Sequence, residues 1–306
     1  MSESNNTKEH PGISIPGILI GSFSVITSIF FLFILFKSKA FQTYSFYFII
    51  IFNIILILDN ILRMFSFHDT NSNNYNALEK VQAFCLTLFK KLELSIMANQ
   101  NLTYFLGVNL IDLYSSKKML IFYISLFLSI LISLIITIIL FLKASLILIQ
   151  AYCYVNTFDS DLTRSIDFIF ICFFYFASII FLAVIIRYLC VKKKEVKTGL
   201  IEDVGYNHHL KKIIILYIFN GLMYVLSFNE IDLRKDFYDL FYLIIVFFID
   251  LAYWANRVLI KETLKLFCKN TYQEKYKKLM KFFCNDIEDE DNENEEEMIK
   301  RKDSFS

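Results

Sequence analysis

The residues of this sequence able to do chemistry are charged side chains set inside long apolar runs. In "CLTLFKKLELSIMANQN", residues 85–101, Lys90, Lys91 and Glu93 stand with Asn99, Gln100 and Asn101 between stretches of Phe, Ile and Leu. Asp59 and Arg63 lie in a second such run, Asp167 in a third and Asp239 in a fourth. A charge at bilayer depth is costly and turns toward a partner or a wet cavity. Two roles follow: an internal ion-pair network that fixes packing, or a site for a ligand with a negative or strongly polar group. Lys90 and Glu93, at i and i+3, are placed to neutralise each other. Lys91 points elsewhere and needs a partner from another segment or from a ligand.

Other chemistry lacks its residues. The chain has no glycine-rich phosphate loop, no H-E-x-x-H and no paired CxxC, so neither enzyme activity nor a cofactor is expected. His208 and His209 are adjacent and would point roughly 100° apart on a helix, a poor metal pair. No repeat and no glycine- or proline-broken helix pair marks a transporter with inverted halves. A multi-pass transporter or channel using the buried charges of spans two, three and seven is the alternative reading.

The elements that must position these charges follow from composition. The 306 residues are 56% hydrophobic with a mean hydropathy of +0.51, and the 20% that are charged are clustered. Phe 34 and Tyr 18 against Gly 7 and Pro 2 exclude collagen-like and disordered classes. The net charge of +1 carries no message, because acidic and basic residues fall in different places. A membrane helix needs about 20 apolar residues to cross roughly 30 Å of hydrocarbon. Segments 13–36, 44–65, 119–142, 165–190, 213–228 and 237–260 meet that length well or nearly so.

The polar segment 81–114 is the seventh candidate. It has no proline and only Gly107, so a helix is not broken. Its polar residues scatter right round the axis, and such a helix cannot face lipid. It either sits at the centre of a bundle or is a soluble helix between two membrane halves. Lysine placement favours the former. Lys37, Lys39, Lys117, Lys118, Lys192, Lys193, Lys194, Lys197, Lys211, Lys212, Lys261, Lys265 and Lys269 all fall inside for seven spans with the N-terminus out.

The expected fold is therefore an all-α integral membrane protein, a seven-helix bundle in the cell membrane. Its parts are an extracellular tail (1–12), a transmembrane domain (13–260), a juxtamembrane amphipathic region (261–284) and a disordered acidic cytoplasmic tail (285–306). The N-terminus lacks a cleavable signal pattern, and the first span is expected to act as a signal anchor. Asn5-Asn6-Thr7 is a glycosylation sequon on the outer side, with Asn5 the acceptor. Cys268, in "KETLKLFCKN", is either a lipidation site or an unmodified juxtamembrane cysteine. The same topology puts Cys85 and Cys153 on the oxidising side, where they form a disulfide or stand as two thiols sharing a side.

Seven spans, an outer N-terminus, a Cys85–Cys153 pair and a short helix after the last span resemble a G-protein-coupled receptor. The chain is most similar to the slime-mould cyclic-AMP-receptor-like group and its fungal relatives, over about residues 10–270. Cys153 with Tyr154 matches the C-aromatic pair of that group, and Cys85 its disulfide partner. Asp112-Leu113-Tyr114 stands where many receptors have D-R-Y, without the arginine, and Asn256-Arg257 replaces the N-P motif. The resemblance implies an extracellular ligand outside and a heterotrimeric G protein inside, with membrane lipid as the surrounding partner and no nucleic acid. Coupling would fall to Asp112, Tyr114 and the basic turn Lys192, Lys193 and Lys194, which also suits anionic lipid alone.

Overall fold

A computed structural model describes residues 15–37, 47–65, 76–109, 111–149 and 152–197, with helical residues at 213–219, 221–223 and 244–249 and scattered positions to 275. Five long helices, α1 (Ile15–Lys37), α2 (Tyr47–Met64), α3 (Ala77–Asn109), α4 (Ile111–Lys143) and α5 (Asp161–Lys197), carry the described part. A two-stranded antiparallel hairpin, β1 (Leu146–Ile149) and β2 (Tyr152–Val155), joins α4 to α5 with Leu146 opposite Val155 and Leu148 opposite Cys153. Among the described residues, three stretches are long and apolar enough to cross a membrane: Tyr47–Met64, Lys117–Lys143 and Asp161–Val191. Only helices satisfy every backbone group within one segment, which is what hydrocarbon demands of a single span.

The burial pattern is inside-out for a water-soluble protein. On α5, Ile169, Phe173, Phe176 and Ile180 are exposed at helical spacing, and on α4 Tyr123, Phe127 and Ile138 are exposed. The interior instead holds Asn53, Asp59, Lys90, Lys91, Glu93, Ser95, Gln100, Asn101, Ser133 and Ser178. A contiguous apolar exterior of this kind suits a lipid solvent rather than water.

Cross-helix contacts fix the directions of the helices. On α1 and α2, Asn60 Nδ2 donates to Ser24 Oγ at 3.2 Å and Ser22 Oγ to Met64 Sδ at 3.8 Å, so the two numbers run in opposite senses. On α3 and α4, Ser95 Oγ lies 3.3 Å from Ser133 Oγ while Asn99 Nδ2 donates to Ser129 Oγ, again antiparallel. On α3 and α5, Lys91 meets Asp167 and Asn101 Nδ2 donates to Ser178 Oγ, so these two helices run parallel. The chain thus alternates up and down through α1–α2 and α3–α4–α5. A Cβ on Gly21 would come within 3.1 Å of Met64 Cε, so α1 and α2 approach closely there.

Helix ends follow local chemistry. Asn76 Oδ1 accepts from the Glu79 amide at 2.8 Å while the Asn76 amide donates to Glu79 Oε2, a reciprocal cap for α3. Ser160 and Thr163 cap α5 in the same way, the Thr163 amide donating to Ser160 Oγ at 3.2 Å. The expected boundary between the third and fourth spans shifts. Helix continues from Ile111 and breaks at Lys117, whose φ of −125° and ψ of 17° are non-helical. Asp112 and Tyr114 therefore lie in a helical stretch between α3 and that break, and α5 runs on through the basic turn to Lys197.

Candidate ligand site

The polar helix α3 lies against α2, α4, α5 and β2. From Lys90 to Asn101 every side chain except half-buried Asn99 is buried. All-round polarity is satisfied on several sides at once. Toward α4, Asn99 Nδ2 reaches the Ser125 carbonyl at 3.3 Å and Ser129 Oγ. Toward α5, Asn101 reaches Ser178. Ser125, Ser129, Ser133 and Thr137, four residues apart, give α4 a polar seam within an otherwise apolar helix.

Two ion pairs hold four of the expected site charges. Arg63 Nε donates to Asp59 Oδ2 at 2.7 Å, one turn apart on α2, with Asp59 buried. Lys91 Nζ on α3 pairs with Asp167 Oδ1 on α5 and stands 5.5 Å from the centre of the Phe170 ring. The Lys91 side chain is 3% exposed and the Asp167 side chain 15%. A ring face attracts a cation most where water is excluded, so Phe170 supports the ammonium from a second direction. Lys90 and Glu93 are also buried on α3, which brings them into the same interior. Asp239 lies outside the described residues.

Above this layer, Gln82 ties three elements together. Its Nε2 donates to the Leu62 and Phe65 carbonyls at the end of α2, both at 2.7 Å, and its Oε1 accepts from the Cys153 amide at 3.1 Å. These bonds seat β2 on the N-terminal end of α3, with Cys153 packed near Ala83 and Tyr154 near Leu86. The sequence offered a signal for this that composition alone hides: a glutamine one turn before Cys85, near the start of the polar helix.

The expected disulfide is not formed. Cys85 and Cys153 are both free thiols, Cys153 buried and Cys85 half-buried. The amide of Cys153 is held by Gln82 and its side chain packs against the α3 face that carries Ala83, so hydrogen bonding and packing do what a covalent bridge was expected to do. Burial, and then the Glu79 carboxylate, push the Cys153 thiol up to about 12.

At the other ends of these helices, the residues expected from the sequence to couple to a partner are placed only by their backbone. Asp112, Tyr114, Lys192, Lys193 and Lys194 are helical, and their side chains lie outside the described set. Arg187 and Cys190 are exposed near the end of α5. Cys268 is a half-buried free thiol whose sulfur accepts from Lys275 Nζ at 3.4 Å, and its neighbour Phe267 meets Phe30 of α1 with ring centres 5.8 Å apart. Asn5 lies outside the described residues. Among the described residues no group of three or more His, Cys, Asp or Glu could hold a metal.

No protein-family model and no curated protein sequence matches the chain. Among solved structures, the crystal structure of squid rhodopsin aligns with 93% of this chain and 89% of its own, at 14% identity and a TM-score of 0.48.

Proposed function

We propose that the chain is a seven-helix receptor of the G-protein-coupled kind, embedded in the cell membrane with its N-terminus outside. The observation that carries this reading is a polar helix, α3, buried on every side among helices whose outward faces are apolar. That helix supplies charges at the depth where an extracellular ligand would meet them. Buried polar residues of this sort mark functional sites in membrane proteins by default.

The Lys91–Asp167 pair at the outer half of α3 and α5 is the ligand-responsive point, and Lys90, Glu93, Asp59, Arg63 and Asp239 are the further candidates for the site. The inner turns bearing Asp112, Tyr114 and Lys192 to Lys194 engage a heterotrimeric G protein. The mechanism is a population shift between two bundle packings that the ligand binds unequally. No enzyme chemistry is assigned, and Asn5 glycosylation and Cys268 lipidation accompany the reading as modifications.

The test is guanine-nucleotide exchange on a co-expressed heterotrimeric G protein across a panel of extracellular ligands. Ligand-dependent exchange supports the receptor. Ion flux or solute uptake with no exchange would transfer the buried charges to a transport path instead.

A further inference from the structure

We infer that Lys91 anchors an anionic group of the ligand, a carboxylate or a phosphate, which takes the place of Asp167 and so unties α3 from α5. This inference rests on the receptor reading and names the chemistry of its ligand. Of the two described ion pairs, only this one joins two helices. The Asp59–Arg63 pair lies one turn apart on a single helix, α2, so it does not itself tie two helices together.

Exposure decides which partner a ligand replaces. A cationic ligand taking Asp167 would leave the Lys91 ammonium uncompensated at 3% exposure, which membrane and protein interiors penalise heavily. An anionic group taking Lys91 leaves Asp167, at 15% exposure, the member of the pair with access to solvent. The ammonium keeps a full charge partner and stays over the Phe170 ring throughout. Anion exchange is therefore the cheaper direction.

Its structural consequence follows from the second α3–α5 tie. Asn101 to Ser178 lies about three turns further along both helices and is a neutral hydrogen bond. With the ionic tie released and the neutral tie kept, the outer half of α5 separates from α3 about the Asn101–Ser178 contact. The inner end of α5, beyond Ser178, then moves relative to α4.

The experiment uses the full chain in lipid nanodiscs, with nitroxides on native Cys190 and on a Met119→Cys substitution, both exposed, and the remaining cysteines replaced by alanine. Pulsed dipolar spectroscopy reads the α4–α5 distance distribution, with acetate and inorganic phosphate as probes. Asp167→Asn is expected to shift the distribution without any anion, and acetate or phosphate to shift the wild type in the same sense. Lys91→Gln is expected to abolish the anion response. The exchanged pair Lys91→Asp/Asp167→Lys rebuilds the tie and should return the wild-type distribution, which guards against misfolding. A shift by acetate alone identifies a carboxylate site, and one by phosphate alone a phosphate site. The inference fails if Asp167→Asn coincides with wild type, if neither anion moves the wild type, or if Lys91→Gln responds as the wild type does. Nucleotide exchange measured on the same samples separates the two readings. Motion without exchange sinks the receptor and leaves the anion site standing, whereas exchange without motion sinks the anion site alone.

Discussion

Removing one member of the Lys91–Asp167 pair should cost far more than removing both. Asp167→Ala leaves an ammonium that is 3% exposed and whose remaining partner among the described residues is the Phe170 ring. Stranding a buried charge in this way costs about 3–5 kcal/mol. Lys91→Met leaves the carboxylate instead, and its 15% exposure gives water a route to it, so the cost falls to on the order of 1–3 kcal/mol. Lys91→Met/Asp167→Leu strands nothing and should lie near wild type. The double-mutant cycle then returns a coupling of about 4–8 kcal/mol, above the roughly 0.5–3 kcal/mol that contacting residues usually show. A neutral hydrogen bond between membrane helices averages only about 0.6 kcal/mol, so the cycle distinguishes an ionic tie from a polar one. Reversible unfolding in mixed micelles, followed by helical circular dichroism, measures all four proteins. Single substitutions that each cost under ~1 kcal/mol, or that simply add in the double variant, would refute the argument that this pair is a desolvated cross-helix tie.

Three further outcomes follow from other contacts. Gln82→Leu removes three bonds at 2.7, 2.7 and 3.1 Å and should destabilise by about 1–3 kcal/mol, with the Cys153 amide exchanging its hydrogen much faster; unchanged exchange at that amide would contradict the seating of β2. Gly21→Ala should be tolerated because Met64 is a flexible neighbour, whereas Gly21→Leu should overpack α1 against α2 and lose about 1–3 kcal/mol in thermal unfolding; equal stability of the two variants would argue against the close approach. The Cys153 thiol, raised to about 12, stays protonated at neutral pH, so a maleimide should modify exposed Cys190 well before it. Because the fold holds that proton, its contribution to stability is complete below about 9 and fades as pH climbs through about 12. Equal labelling of the two cysteines at neutral pH would contradict this.

The centre of the fold was legible because polarity on every side of a helix has a single low-energy solution in lipid. Lys90, Lys91, Glu93, Gln100 and Asn101 announce a buried helix without any knowledge of its neighbours. The partner of Lys91 was not legible, since Asp167 lies 76 positions away and the pairing depends on how α5 packs. The Asp59–Arg63 pair, by contrast, was written in its i,i+4 spacing. The serines of α4 at four-residue intervals lie on its inward face, a signal that the hydropathy reading of the segment passed over. The hairpin at 146–155 went unforeseen because four-residue apolar strands beside a long apolar helix carry no distinct period. The free thiols of Cys85 and Cys153 show the limit of compartment arguments, which place two cysteines on one side without bringing their sulfurs together.

The account stands on α3 crossing the membrane at the centre of an odd-numbered bundle. Epitope tags at the two ends of the full chain test this most directly. Seven crossings would give an N-terminal tag stained on intact cells and a C-terminal tag stained only after permeabilisation. Both tags on one side would mean an even number of crossings, return α3 to a soluble connection and contradict it.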